Sequence, residues 1–322
     1  FTASVEGSKN NEINIAKETS KKLNLNHEEL ILTKSDIINF AKQSIFINGE
    51  FIFESSQAAL FYLYKKMNEM GYRVCIGGDG GDEVFKGYRR YFLPDFTYFI
   101  PFIALKPLSI SFDKIEKVNL FKGNFFKSLS RFIRTISNEN LVERYSSLLR
   151  RNFPNNKEFN PSPNFNNYIK FIYSNKKNMN DLNRLLDIFN YFPDKMMQKV
   201  DRVSMYHGIE ARTPLIDDQL VDKYWENFSD SESFNISKKL FRDILHDYGL
   251  SNISKYKKMG FDIKSSLKNL DDIKPSKLSQ QLFGNLPVFS KLKNINFNKL
   301  GFEEQYTSIA VLKTENITNE KL

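Results

Sequence analysis

The chain has 322 residues, 41% hydrophobic and 26% charged, with 47 basic against 38 acidic side chains and a formal net charge of +9. That length allows one large domain or two packed ones around a sizeable core, and no apolar run reaches the ~18 residues of a membrane span. One cysteine and three scattered histidines exclude a disulfide framework and a zinc site by spacing, and make the cytoplasm the simplest compartment. The lysines are spread through Asn- and Lys-rich segments rather than gathered in one basic stripe, so no nucleic-acid partner is expected. The sequence opens on Phe1, not Met, without the make-up of a signal peptide, and reads as a piece of a longer chain.

In chain order, Phe1–Val5 alternates apolar and small residues and predicts a strand. Asn11–Leu23 places Ile13, Ala16, Ser20 and Leu23 at helical spacing, and His27–Thr33 is a second short strand. Ser35 can cap a helix running to about Phe46. Ser55–Met70 predicts a strong helix, with Ala58, Leu60, Phe61, Leu63, Tyr64 and Met67 on a wide apolar face and Gly71 ending it. Arg73–Ile76 is a third strand. Strands alternating with helices are the pattern of a doubly wound parallel sheet, where ligands bind at the carboxyl ends of the strands.

The third strand runs into VCIGGDGGDEVFKGYRRY, Val74–Tyr91. Four of the five residues from Gly77 to Gly81 are glycines, which lets backbone come close to a ligand. A helix-like segment from Val84 to Tyr91 would aim free N–H groups and a partial positive charge at that ligand, favouring phosphate. Carboxylates there would repel a nucleotide unless a cation intervened, and Mg²⁺ bridging Asp82 to a polyphosphate is the natural solution. The other reading is a tight strand-to-helix turn with acidic capping residues.

From Pro94 to about Asn190 the chain is aromatic-rich and helical, with Asn152–Asn167 as a surface loop. Asp181–Phe192 is helical, and Pro193 suits the first position of the next helix. On that helix Met197, Asp201, Ser204 or Met205, and Gly208 share one face. Asp201, Arg202, Glu210 and Arg212 are either a structural ion-pair set or site-shaping groups. Ser237–Tyr248 is a helix with Lys238 and Arg242 one turn apart, either a neutraliser of a leaving pyrophosphate or an ordinary solvated face. Beyond Ser265 the signal fades, with a last helix over Phe302–Leu312. His27, His207 and His246 form no catalytic set.

Gly77-Gly78-Asp79-Gly80-Gly81-Asp82-Glu83-Val84-Phe85-Lys86-Gly87-Tyr88 resembles the S-G-[ED]-G-[GSA]-D-E-[LV]-F-x-G-Y motif of the asparagine synthetases. The segment Tyr191–Asp217 resembles a second family motif, with Lys199, Asp201, Arg202, Ser204, Met205, Gly208, Glu210, Arg212, Pro214 and Asp217 in register. Lys238 and Arg242 match its K-x-x-L-R pattern, Lys258, Gly260 and Phe261 its R-x-K-x-G-F, and FTASV its nucleotide-side strand. Gly77, Lys195 and Lys264 depart from the family's usual Ser, acidic residue and Pro.

The resemblance implies an α/β fold, an adenine-nucleotide alpha-hydrolase-like (PP-loop ATPase) parallel sheet with a large helical C-terminal half. The sheet would be incomplete at its N-terminus, because the family's S-G-G-x-D-S loop and glutaminase domain would lie upstream of Phe1. Residues 1–93 would be the remnant of the α/β domain and residues 94–322 the helical part. It implies ATP and Mg²⁺ as cofactors and adenylation of a carboxylate, aspartate, followed by amidation with ammonia from glutamine. An acceptor other than aspartate, or a non-catalytic homologue, are the alternatives. By the same resemblance Asp79, Lys238 and Asp201 are catalytic, while Ala3, Gly77, Gly78 and Lys258 bind nucleotide. Asp82 holds the metal, and Glu83, Arg202 and Arg212 shape the site. A homodimer is compatible with it; nucleic acid and membrane are not expected as partners, and this piece alone is expected to be inactive.

Overall fold

The computed structural model describes residues 1–7, 12–48, 55–92, 133, 145, 179–228 and 237–256. The predicted loop at 152–167, the last helix at 302–312, most of the 94–190 region, and Lys258 with Lys264 lie outside the described residues.

The described elements in order are β1 (Thr2–Val5), α1 (Glu12–Lys22), β2 (Glu29–Leu32), α2 (Lys34–Asn48), α3 (Ser55–Glu69), β3 (Val74–Ile76) and α4 (Gly81–Val84). A 3-10 turn, Arg89–Phe92, follows. Further on come α5 (Met179–Leu186), a π-helical stretch (Asp187–Met197), α6 (Gln198–Tyr206), β4 (Glu210–Arg212), α7 (Asp218–Phe228), α8 (Lys239–Asp247) and α9 (Ser251–Ser254).

The chain divides into two compact units. The first takes Phe1–Asp79, Pro193–Asp217 and Lys239–Leu322. Its core gathers Ala3, Val5, Leu32, Ile37, Phe40, Ala58, Phe61, Tyr64, Val200, Val203 and Ile209. Burying that apolar surface is the main stabilising term, at roughly 25 cal/mol per Å². The second unit takes Gly80–Phe192 and Asp218–Lys238.

The strands are parallel, as expected, but among the described residues they form two separate pairs rather than one sheet. β1 pairs with β2 in the register Ala3↔Leu30, and β3 with β4 in the register Cys75↔Ala211. One face of β3 stays bare, with Val74 42% and Ile76 76% exposed. No helix among the described residues is long and apolar enough to cross a membrane.

Four local expectations are corrected. The cap of α2 is Thr33, not Ser35: Thr33 Oγ1 accepts the Asp36 N–H at 3.2 Å, and Thr33 N donates to Asp36 Oδ2 at 2.8 Å. This reciprocal pair satisfies two otherwise orphaned donors. The helix expected over Val84–Tyr91 is one turn, Gly81–Val84. Pro193 does not start a helix but lies inside the π-helical stretch. Its missing N–H and its ring disfavour a regular α-helix there, and the wider i→i+5 turn accommodates both. On α6 the buried side chains are Val200, Val203 and Ser204, whereas Asp201 and Met205 are exposed.

Candidate active site

In the second unit, Gly80 enters α4 in the left-handed region, at φ 85°. The turn is held by two backbone bonds, Val84 N to Gly80 O at 2.9 Å and Phe85 N to Gly81 O at 3.3 Å. Phe85 is buried and packs edge-on against Tyr224 of α7, with ring centroids 4.6 Å apart. So short a turn carries little of the anion attraction of a full helix terminus.

Lys238 supplies a cation. Its Nζ lies 2.8 Å from Asp82 Oδ1, and its N–H donates to Phe85 O at 3.2 Å. Lys238 does not lie on α8 with Arg242, as expected, but just before it, with φ 54°. A non-glycine residue in that region stores backbone strain, which persists only where surrounding contacts fix it. Here both ends of the residue are fixed to the stretch Asp82–Phe85.

Gly87 sets the position of Asp82. Its N–H donates to Asp82 O at 2.6 Å. A Cβ on Gly87 would fall 1.8 Å from Asp82 Oδ1 and 2.7 Å from Asp82 Cα. We expect Gly87→Ala to displace Asp82 and destabilise the fold by about 1–3 kcal/mol, the usual cost of overpacking. Thermal unfolding measures this, and an unchanged melting temperature would contradict the packing.

Glu83 is 2% exposed and accepts the Tyr88 hydroxyl at 2.9 Å. Burial raises its carboxyl above the ordinary range, and the Tyr88 hydrogen bond opposes that rise.

In the first unit, Gly77 extends the strand pairing by donating to Arg212 O at 2.8 Å. A Cβ there would meet Asp79 Oδ2 at 3.0 Å, a contact with a movable side-chain end. Gly78 is exposed with open space around it, and Asp79 is partly buried. Burial pushes the Cys75 thiol up and the Asp79 charge adds to this, so Cys75 stays a neutral thiol.

The expected set of Asp201, Arg202, Glu210 and Arg212 divides. Arg212 Nε pairs with Glu210 Oε1 at 2.9 Å on the surface, while Arg202 donates to the Asn48 carbonyl and Asp201 is exposed. Asn48 and Gln57 exchange amide hydrogen bonds at 2.7 and 3.1 Å, and Lys199 donates to Ser56 Oγ at 3.1 Å. Ala3 is buried in the core, so only its backbone is left to meet a nucleotide. His207 is half-buried: its ring meets Phe61 at 4.4 Å, and burial lowers its pKa. His27 lies between α1 and β2 and bonds Thr2 Oγ1 of β1 at 3.1 Å.

Among the described residues no group of three or more His, Cys, Asp or Glu side chains could hold a metal ion. Asp82 Oδ1 faces the Lys238 ammonium, and its side chain is partly open to solvent.

Parallel strands leading into a glycine- and carboxylate-rich turn place the chain among α/β proteins. Residues 1–293 match the asparagine synthase family, and the chain belongs to that family. It is 21% identical over 287 residues to asparagine synthetase [glutamine-hydrolyzing] 1 of Bacillus subtilis, covering 84% of this chain and 43% of that protein. It is 23% identical over 231 residues to putative glutamine-hydrolysing asparagine synthetases of Mycobacterium bovis and Mycobacterium tuberculosis, covering 68% of this chain and 34% of theirs. The chain thus spans less than half the length of these relatives.

Proposed function

We propose that this chain carries the ligase half of an ATP-dependent amidation. Family membership supports a carbon–nitrogen ligase, and the Asp82–Lys238 pair at 2.8 Å, which joins two of the matching motifs, is the observation that carries the reading. A substrate carboxylate oxygen attacks the α-phosphorus of ATP; the new O–P bond forms as the α–β phosphoanhydride breaks and pyrophosphate leaves. Ammonia then attacks the acyl carbon of the adenylate, AMP departs, and the amide remains after loss of a proton.

Mg²⁺, held by Asp82, would neutralise the phosphate oxygens. The Lys238 ammonium meets charge developing on the departing pyrophosphate, where a fixed cation is worth most. Gly77 and Gly78 let backbone approach the nucleotide, Ala3 offers backbone to the adenine, and Lys258 adds a cation. Asp79, which serves adenylate formation or use, and Asp201 are catalytic, while Glu83, Arg202 and Arg212 shape the site. Aspartate is the acceptor we propose first. Gly77, Lys195 and Lys264, which depart from the family pattern, favour a different carboxylate as the second reading.

The test is Mg²⁺- and carboxylate-dependent pyrophosphate release by the intact protein, with other carboxylates competing against aspartate. Release with aspartate is expected. Release only with another acid selects the second reading. A protein whose melting temperature Mg-ATP leaves unchanged, and which releases no pyrophosphate, is a non-catalytic homologue.

A further inference from the structure

Within the second unit a buried carboxylate stands far from Asp82 in sequence yet is linked to it by side-chain contacts. Asp187 is fully buried at the first position of the π-helical stretch. It accepts hydrogen bonds from Arg90 Nε at 2.5 Å, from Tyr145 Oη at 2.8 Å and from the Tyr91 hydroxyl. The Arg90 guanidinium so fixed lies 3.9 Å from the centroid of the Tyr88 ring. Tyr88 in turn donates to buried Glu83 at 2.9 Å, and Glu83 is the neighbour of Asp82 on the single turn α4.

We propose that Asp187 is a positioning residue for the Asp82–Glu83 turn, acting through Arg90 and Tyr88. Four residues closed by two backbone bonds do not hold a helical turn by themselves, because nucleation is unfavourable before propagation begins. The turn therefore needs fixing from its side chains. Phe85 fixes its end by packing, and Glu83 fixes its middle through the Tyr88 hydroxyl. The Tyr88 ring is oriented by the cation on its face, and the cation is oriented by a carboxylate that water does not reach. Removing Asp187 leaves a buried guanidinium without its counter-charge, so the defect propagates along the line Arg90, Tyr88, Glu83. The bearing on catalysis rests on the amidation reading, whereas the geometric claim does not.

The test uses Tyr88→Phe and Asp187→Asn in the intact protein, with two readouts. One is hydrogen exchange at the amides of Val84, Phe85 and Gly87 compared with those of α3. The other is the dissociation constant for Mg-ATP. Tyr88→Phe removes one oxygen and is expected to speed exchange at the three amides and weaken Mg-ATP each by about fivefold to tenfold, the worth of one ordinary hydrogen bond. Exchange in α3 is expected to stay as it was, and Asp187→Asn to act in the same direction and more strongly. The proposal falls if Tyr88→Phe leaves exchange at Val84–Gly87 unchanged, or speeds α3 equally. If the unaltered protein binds no Mg-ATP yet exchange changes only at the turn, the positioning role stands and the amidation reading fails. Should Asp187→Asn not fold, Arg90→Lys, which keeps a cation but loses the guanidinium that joins Asp187 to the Tyr88 ring, decides: faster exchange at the three amides alone is expected, and unchanged exchange overturns the role of Asp187.

Discussion

Asp82→Asn is expected to lower Mg²⁺-dependent pyrophosphate release by at least about 10³-fold while leaving the fold in place. The amide keeps the shape of the carboxylate but not its charge, and it loses both functions proposed for it. A neutral oxygen is a poor ligand for Mg²⁺, which relies on a carboxylate to compete with water. It also leaves Lys238 without its counter-charge, so the lysine is no longer held at 2.8 Å from that position. The loss of stability is expected to be small, because both side chains of the pair are partly open to solvent and such pairs contribute about 1 kcal/mol or less. Pyrophosphate release assayed across a range of Mg²⁺ concentrations measures the effect. Normal release would remove Asp82 from the metal role and with it the central assignment.

Lys238→Ala is expected to reduce turnover by about 10²–10³-fold, the usual loss when one fixed charge is taken from a developing anion. The substitution is a clean probe for a backbone reason. Lys238 has φ 54°, and alanine suffers the same Cβ strain there as lysine does. The change therefore removes the ammonium without altering the backbone cost. Glycine at the same position would relax the strain and mix two effects. Turnover and thermal unfolding measured on the same preparation separate the roles: a large fall in turnover beside a small fall in melting temperature is expected. Parallel losses in both would make Lys238 a structural residue.

Much of the first unit is legible in the sequence. β1, β2 and β3 are short apolar runs bounded by turn residues, and α3 has an apolar face wide enough to show its period. The strand β4 is not legible, because Glu210-Ala211-Arg212 is too short for its alternation to stand out and carries no β-formers; only its pairing with β3 makes it a strand. The π-helical turn is equally hidden, since hydrophobic spacing does not distinguish i→i+5 from i→i+4 bonding around Pro193. The acidic turn stands out by its glycines, and Asp82 with Lys238 can be named in advance from the motif that carries them. The left-handed backbone at Lys238 cannot, because nothing in a lysine announces positive φ. Asp187 leaves one trace, an acid set within Leu185-Leu186-Asp187-Ile188-Phe189. A carboxylate in such a run must find buried donors, but their identity, from residues as distant as Arg90 and Tyr145, is a property of the folded chain.

The bare side of β3 governs how this polypeptide behaves in a test tube. Valine and isoleucine spaced two apart on a strand and open to water would gain stability from burial against another apolar surface, and two like faces brought together would bury both. The chain's surplus of lysine keeps copies apart in dilute buffer, and screening of that charge lets such faces meet.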